Sequence, residues 1–158
     1  MKGKPEVLKA LQEMLEEELG ALNQYFLHSE MCENWGYELL SKRVKKLSIS
    51  EMKHAEELIE RLLFLEGAPN LTALPKLKIG SDVKQQLAND LELELGAVIS
   101  YNEAIATCRR VGDNGTADFL KKILADEEGH VDFFEEQLGL IDQIGTQNYL
   151  AQQIEEEE

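Results

Sequence analysis

The chain has 158 residues, enough for one domain with a substantial core. Apolar residues make up 43% and charged residues 30%, and only three prolines occur, which favours long helices over many short strands. A net charge of −15 excludes sequence-independent binding to nucleic acid and to anionic membrane surfaces, and an acidic field of that size attracts cations.

Other classes are excluded by local features. Lys2 to Gln12 is too polar to hold the apolar region of a signal peptide, and no apolar run reaches the length of a membrane span. Cys32 and Cys108 form no CxxC and read as small buried residues on helical stripes. A reducing cytoplasm is the expected location.

Four long helices are predicted in chain order. The first runs from about Pro5, which suits a first helical turn, to Trp35. Its inner stripe is Leu8, Leu11, Leu15, Glu18, Leu22, Tyr25, Ser29 and Cys32, in steps of three and four. The second runs from about Glu38 to Glu66, with Leu40, Val44, Leu47, Glu51, His54, Leu58, Leu62 and Leu65 inside, and stops at Gly67 and Pro69.

Residues 67–80 then hold two prolines and two glycines. A helix of about 29 residues is roughly 43 Å long. About fourteen extended residues reach about that far. The segment therefore reads as a crossover from one end of a bundle to the other.

Ser81 or Asp82 caps a third helix, which runs to about Val111 along Val83, Leu87, Leu91, Glu94, Val98, Tyr101, Ile105 and Cys108. Gly112-Asp113-Asn114-Gly115 breaks it. Thr116 starts the fourth, along Leu120, Leu124, Glu127, Val131, Phe134 and Leu138. Gly139 and Gly145 bracket a loose turn, and a short fifth helix follows at about 146–154. Glu155 to Glu158 form a self-repelling, frayed tail. The expected fold is all-α: a single domain over 1–158, a four-helix bundle with one long crossover plus a short fifth C-terminal helix.

One constellation occurs twice. Glu18, Glu51 and His54 recur 76 positions later as Glu94, Glu127 and His130, and Tyr25 recurs as Tyr101. Each half thus carries one lone Glu and one Glu-x-x-His. That set, from four helices facing one core, is the ligand set of a di-iron or di-manganese carboxylate bundle.

The charges support this reading. Each Glu sits on an otherwise apolar stripe, and buried carboxylates are costly unless paired or bound to metal. Two divalent cations balance four carboxylates and two neutral imidazoles. Oxygen and nitrogen donors without sulfur suit iron or manganese better than structural zinc. Tyr25 and Tyr101 lie on the ligand faces and are expected to hydrogen-bond the ligand carboxylates. His28 lies beside the stripe without a companion carboxylate at ligand spacing and reads as a structural or surface histidine.

The chain resembles bacterioferritin over nearly its whole length. The likeness is carried by Met1-Lys2-Gly3, Asn23-Gln24-Tyr25-Phe26-Leu27-His28, Glu51-Met52-Lys53-His54-Ala55, Phe64-Leu65-Glu66-Gly67, Asp126-Glu127-Glu128-Gly129-His130 and Gln147-Asn148-Tyr149-Leu150. The resemblance implies a ferritin-like bundle and a 24-subunit shell built of twofold dimers that stores ferric mineral. It also implies a ferroxidase that oxidises Fe2+ with O2 or H2O2 at Glu18, Glu51, His54, Glu94, Glu127 and His130. Glu51 and Glu127 would bridge the two metals, and Glu18 and Glu94 would be terminal.

The same resemblance implies haem b, one per two subunits, with Met52 as axial ligand. A reductase or ferredoxin would then partner iron release. Met52 adjoins Glu51 and is turned about 100° away from the core stripe. With Leu19, Phe26, Trp35 and Ile49 it is expected to form an outward apolar patch. Lys45, Lys46 and Ser50 depart from the family's Tyr, His and Asp. Asn34, Glu66 and Asp132 match residues proposed to line a pore. Two other readings keep part of this picture: a rubrerythrin-like di-iron peroxidase or oxidase, and a haem-binding structural subunit of a mixed shell. The first lacks the four-cysteine domain it would need, since the chain has two cysteines.

Overall fold

A computed structural model describes residues 1–154. The self-repelling tail expected at 155–158 lies outside the described residues. Helices α1 (Pro5–Asn34), α2 (Glu38–Phe64), α3 (Val83–Arg110), α4 (Asn114–Ile144) and the short α5 (Thr146–Ala151) are the regular elements, and no strand occurs among the described residues. α1 packs chiefly on α2 and α3 chiefly on α4, giving two hairpins that meet along α1 and α3.

Helix boundaries follow local chemistry. Pro5 opens α1. The Asp82 carboxylate accepts the Gln85 N–H at 2.8 Å and caps α3, as the Ser81/Asp82 alternative anticipated. α4 starts two residues before the expected Thr116. Gly112, at φ 82°, turns the chain, and Asp113 accepts from the Thr116 N–H at 3.0 Å, drawing Asn114 and Gly115 into the first helical turn.

The expected loose turn between Gly139 and Gly145 is instead helix. A glycine inside a helix costs about 1 kcal/mol. Burial of Gln137 and Ile141 on either side of Gly139 offsets that cost. Only Gly145, at φ 84°, ends the helix. α5 is shorter than expected, ending at Ala151. It is held by Tyr149, which is buried and donates to Gln137 Oε1 at 2.8 Å.

The crossover runs along α1. Gln12 exchanges hydrogen bonds with the Asn70 backbone at 2.9 and 3.0 Å, Gln24 Oε1 accepts the Lys78 N–H at 3.0 Å, and His28 Nε2 accepts the Gly80 N–H at 3.0 Å. Between these ties Pro75 lies so close over Gly20 that a Cβ there would collide with its ring.

Two apolar clusters fill the bundle. One contains Leu11, Leu15, Leu58, Leu62 and Leu120; the other contains Leu40, Val44, Leu87, Phe134 and Ile141. Each such side chain contributes about 1.5–3 kcal/mol through burial. Cys32 and Cys108 are buried free thiols. Burial pushes their pKa values up, to about 12 and about 11 respectively, so both stay protonated.

Candidate metal centre

Polar residues separate the two apolar clusters. Glu18 comes from α1, Glu51 and His54 from α2, Glu94 from α3, and Glu127 and His130 from α4. The four carboxylates are at most 2% exposed, and both histidines are buried. Spacing of three residues puts each His on the same helix face as its Glu.

All six expected ligands converge. Donor-type atoms of Glu18, Glu51, His54 and Glu127 lie within 4.8 Å of one another, as do those of Glu51, Glu94, Glu127 and His130. Glu51 and Glu127 therefore belong to both groups. His54 Nδ1 is 2.9 Å from Glu127 Oε1, 3.5 Å from Glu18 Oε2 and 3.6 Å from Glu51 Oε2. His130 Nδ1 is 2.6 Å from Glu51 Oε1, 3.2 Å from Glu94 Oε1 and 3.5 Å from Glu127 Oε2.

These contacts do not satisfy the atoms. Glu18 Oε2, Glu51 Oε1, Glu94 Oε2, His54 Nδ1 and both Glu127 oxygens make no hydrogen bond despite their burial. An orphaned buried polar atom costs about 1–3 kcal/mol, and more when charged. So many around one point fit a pair of divalent cations, which would neutralise the charge and take the lone pairs. The all-oxygen-and-nitrogen donor set suits iron or manganese.

Without cations the site holds protons. Burial raises the Glu18 and Glu51 carboxyls, and repulsion between them adds to the effect at Glu18. Burial, then contact with Glu127, pushes Glu94 up to about 8. Burial disfavours charge on the histidines, yet the surrounding carboxylates outweigh it. Glu127, Glu18 and Glu51 raise His54 far above its usual range, and Glu127, Glu51 and Glu94 push His130 up to about 12.

The residues around the ligands orient them. Tyr25 donates to Glu94 Oε1 and Tyr101 to Glu18 Oε1, each at 2.5 Å. Burial, then the nearby carboxylates, keep both hydroxyls protonated. Asp126 Oδ2 lies 2.9 Å from His54 Nε2, which turns Nδ1 toward the centre. Sequence reasoning passed over Asp126, whose carboxylate is largely exposed. Its counterpart at the 76-residue offset is Ser50, so His130 has no carboxylate at the equivalent position.

Of the two readings of His28, the packing decides for one: it meets Asp90 on α3 at 2.8 Å, and both side chains are 1% exposed. Its surface reading therefore fails and its structural reading holds. No spacing rule could find that pair, because the partners lie on different helices, 62 residues apart.

Met52 points away from the centre and is 48% exposed. Phe26, Trp35 and Ile49 are exposed large apolar residues, as expected of an outward patch, whereas Leu19 is partly buried against the core. Lys45 and Lys46 are exposed and Ser50 is half-buried. Asn34, Glu66 and Asp132 are exposed, with Asn34 ending α1 and Glu66 following α2, at opposite ends of the first hairpin.

Four antiparallel helices, a long crossover and a central carboxylate–histidine cluster define a ferritin-like bundle of the di-metal carboxylate class. Residues 8–144 match the family model of the ferritin-like domain. The chain is 46% identical to a bacterioferritin of Brucella melitensis over 149 residues, 94% of this chain and 92% of that protein. It is 43% identical to a bacterioferritin of Mycobacterium leprae over 152 residues, 96% of each chain. It is 45% identical to a bacterial ferritin of Synechocystis over 155 residues, 98% of this chain and 99% of the relative. The chain belongs to the bacterioferritin family. No helix among the described residues is long and apolar enough to cross a membrane.

Proposed function

We propose that this protein detoxifies and stores iron in the cytoplasm. Two ferrous ions, the substrate, are held by Glu18, Glu51, His54, Glu94, Glu127 and His130 and oxidised by dioxygen or peroxide. The ferric product is stored as mineral inside a 24-subunit shell of twofold dimers. The observation that carries this reading is the membership of Glu51 and Glu127 in both donor groups. It fits two adjacent ions with these carboxylates between them, and Glu18 and Glu94 at the ends.

The chain's own part is geometric and electrostatic. Four carboxylates match the charge of two divalent ions, and the orphaned atoms gain partners when the ions bind. Tyr25 and Tyr101 hold the terminal carboxylates, and Asp126 holds His54. The apolar clusters on either side lower the local dielectric and strengthen each electrostatic contact.

Met52 fits a second group, haem b, shared between two copies of the chain. Its exposed thioether would hold the haem iron, and Ile49, one turn away on α2, would supply apolar surface beside it. Haem would supply one-electron transfer for iron release, with electrons from a reductase or ferredoxin. Haem held in this way would bring two copies of the chain together through this face.

Size-exclusion chromatography with an absorbance spectrum and an aerobic Fe2+ titration tests the proposal. The expected result is a large assembly, a Soret band and rapid oxidation of two Fe2+ per chain. A small species that leaves Fe2+ unoxidised would overturn the reading.

A further inference from the structure

The two halves of the centre match closely where they face the ions. His54 Nδ1 lies 2.9, 3.5 and 3.6 Å from oxygens of Glu127, Glu18 and Glu51. His130 Nδ1 lies 2.6, 3.2 and 3.5 Å from those of the equivalent Glu51, Glu94 and Glu127. Tyr25 and Tyr101 support the two terminal carboxylates at the same 2.5 Å. Donor type, charge and the hydroxyls behind the terminal ligands are therefore equal on both sides, and nothing in that set favours one ion position.

The halves differ at the far nitrogen of each imidazole. Asp126, on α4 beside Glu127, reaches Nε2 of His54 on α2 at 2.9 Å. An imidazole that gives one nitrogen to a metal carries its proton on the other. Asp126 accepts the hydrogen bond from that proton, which fixes the tautomer, aims the Nδ1 lone pair inward and raises its basicity.

His130 has no such support. Ser50 stands where the duplication calls for a second Asp, and its side chain is shorter and uncharged. Among the described residues neither the Ser50 hydroxyl nor His130 Nε2 makes a hydrogen bond. His130 is also the more exposed ring, 8% against 3% for His54. A metal bound there must first select one tautomer and one ring orientation, and that ordering is taken from its affinity.

Losing a partner that holds a ligand lowers metal affinity by about 10–100-fold. The Asp126 carboxylate is 61% exposed, so water competes for it and the lower end of that range applies.

We infer that Asp126 is a positioning residue that makes the two ion positions unequal. The position between Glu18 and His54 fills first and holds its ion about tenfold more tightly than the position between Glu94 and His130. The inference rests on the functional reading above and adds the order of loading.

The test uses crystals of the assembled protein equilibrated, without oxidant, with less than one Co2+ per chain. Anomalous density should lie mainly at the Glu18–His54 position. Asp126→Ser should divide it evenly between the two positions. Asp126→Ser combined with Ser50→Asp should move it to the Glu94–His130 position, a reversal that a merely structural role cannot produce. In a solution titration, Asp126→Ser should weaken the first binding step by roughly tenfold and largely spare the second, and Ser50→Asp should strengthen the second. Repulsion between the ions separates the two steps even at a symmetric site, so the variants decide, not the wild-type steps alone.

Equal occupancy in the wild type would overturn the inference, and so would density that stays beside His54 in the double variant. Should the double variant not assemble, an unchanged first step in Asp126→Ser would overturn it. Two ions bound with equal occupancy would leave the functional reading standing and remove only the inequality. A wild type that binds no Co2+ at the six ligands would overturn the functional reading, and the order of loading with it.

Discussion

The Tyr25 hydroxyl donates to Glu94 Oε1 across the boundary between the duplicated halves, and Tyr101 returns the same bond to Glu18. Each half thus orients the lone carboxylate of the other. Tyr25→Phe and Tyr101→Phe should each lower metal affinity by about 10–100-fold, the usual effect of losing a partner that positions a ligand. Anaerobic Co2+ titration measures this. Since the aromatic ring is retained, the assembly should be unchanged. Wild-type affinity in both variants would show that the hydroxyls do not set ligand geometry.

Glu127 touches both donor groups, whereas Glu94 touches one. Glu127→Ala should therefore abolish rapid Fe2+ oxidation and leave the assembly intact. Glu94→Ala should weaken one ion more than the other. Stopped-flow oxidation combined with size exclusion checks both. Rapid oxidation by Glu127→Ala would show that the chemistry lies elsewhere.

Protonation of the centre in metal-free protein sets a pH dependence. The raised carboxyl of Glu94 binds a proton more tightly in the folded state. Its contribution is full below about 4.5, the unfolded value, and is lost as pH climbs through about 8. His130 has the same sign, with its contribution lost between about 6.5 and about 12. The metal-free protein should therefore melt at progressively lower temperature from pH 5 to pH 9. Metal binding should release protons and flatten that decline. Calorimetry with and without Co2+, and a pH indicator during loading, test both effects. Metal uptake without proton release would contradict the assignment.

Sequence periodicity reveals the parts of this site that repeat. The offset of 76 finds six converging side chains and two tyrosines, because a duplicated hairpin must place equivalent residues on equivalent faces. It does not reveal what breaks the symmetry. Asp126 looks like a surface acid beside Glu127, and only the packing of α4 against α2 brings it to His54. The Asp90–His28 pair joins helices through no repeating distance. Nor does a glycine by itself mark a helix end: α4 runs through Gly139 to Ile144. There, tertiary burial outweighs a local preference worth about 1 kcal/mol.

Met52 and Glu51 are neighbours in sequence with opposite surroundings, one 48% exposed and the other 1%. Met52→Leu keeps the apolar volume and removes the sulfur ligand. The Soret band should disappear from the purified protein while the initial rate of Fe2+ oxidation is unchanged. A retained Soret band with normal intensity would exclude Met52 as the haem ligand.

His28 ties three elements with two ring nitrogens. Nε2 accepts the Gly80 N–H, which leaves Nδ1 protonated and donating to Asp90; Gln24 supports the same carboxylate at 2.8 Å. Burial raises the Asp90 carboxyl, and the bond from His28 opposes that rise. His28→Ala would strip a donor from a buried carboxylate and orphan the Gly80 amide. Each buried group left without a partner costs about 1–3 kcal/mol, and two are orphaned here. At roughly 2–4 °C per kcal/mol for a chain of this size, the metal-free protein should melt some ten degrees lower. The released crossover should also become the first site of limited proteolysis. If melting falls but the crossover remains protected, His28 stabilises the α1–α3 contact alone and the clamp is held by Gln12, Pro75 and Gln24.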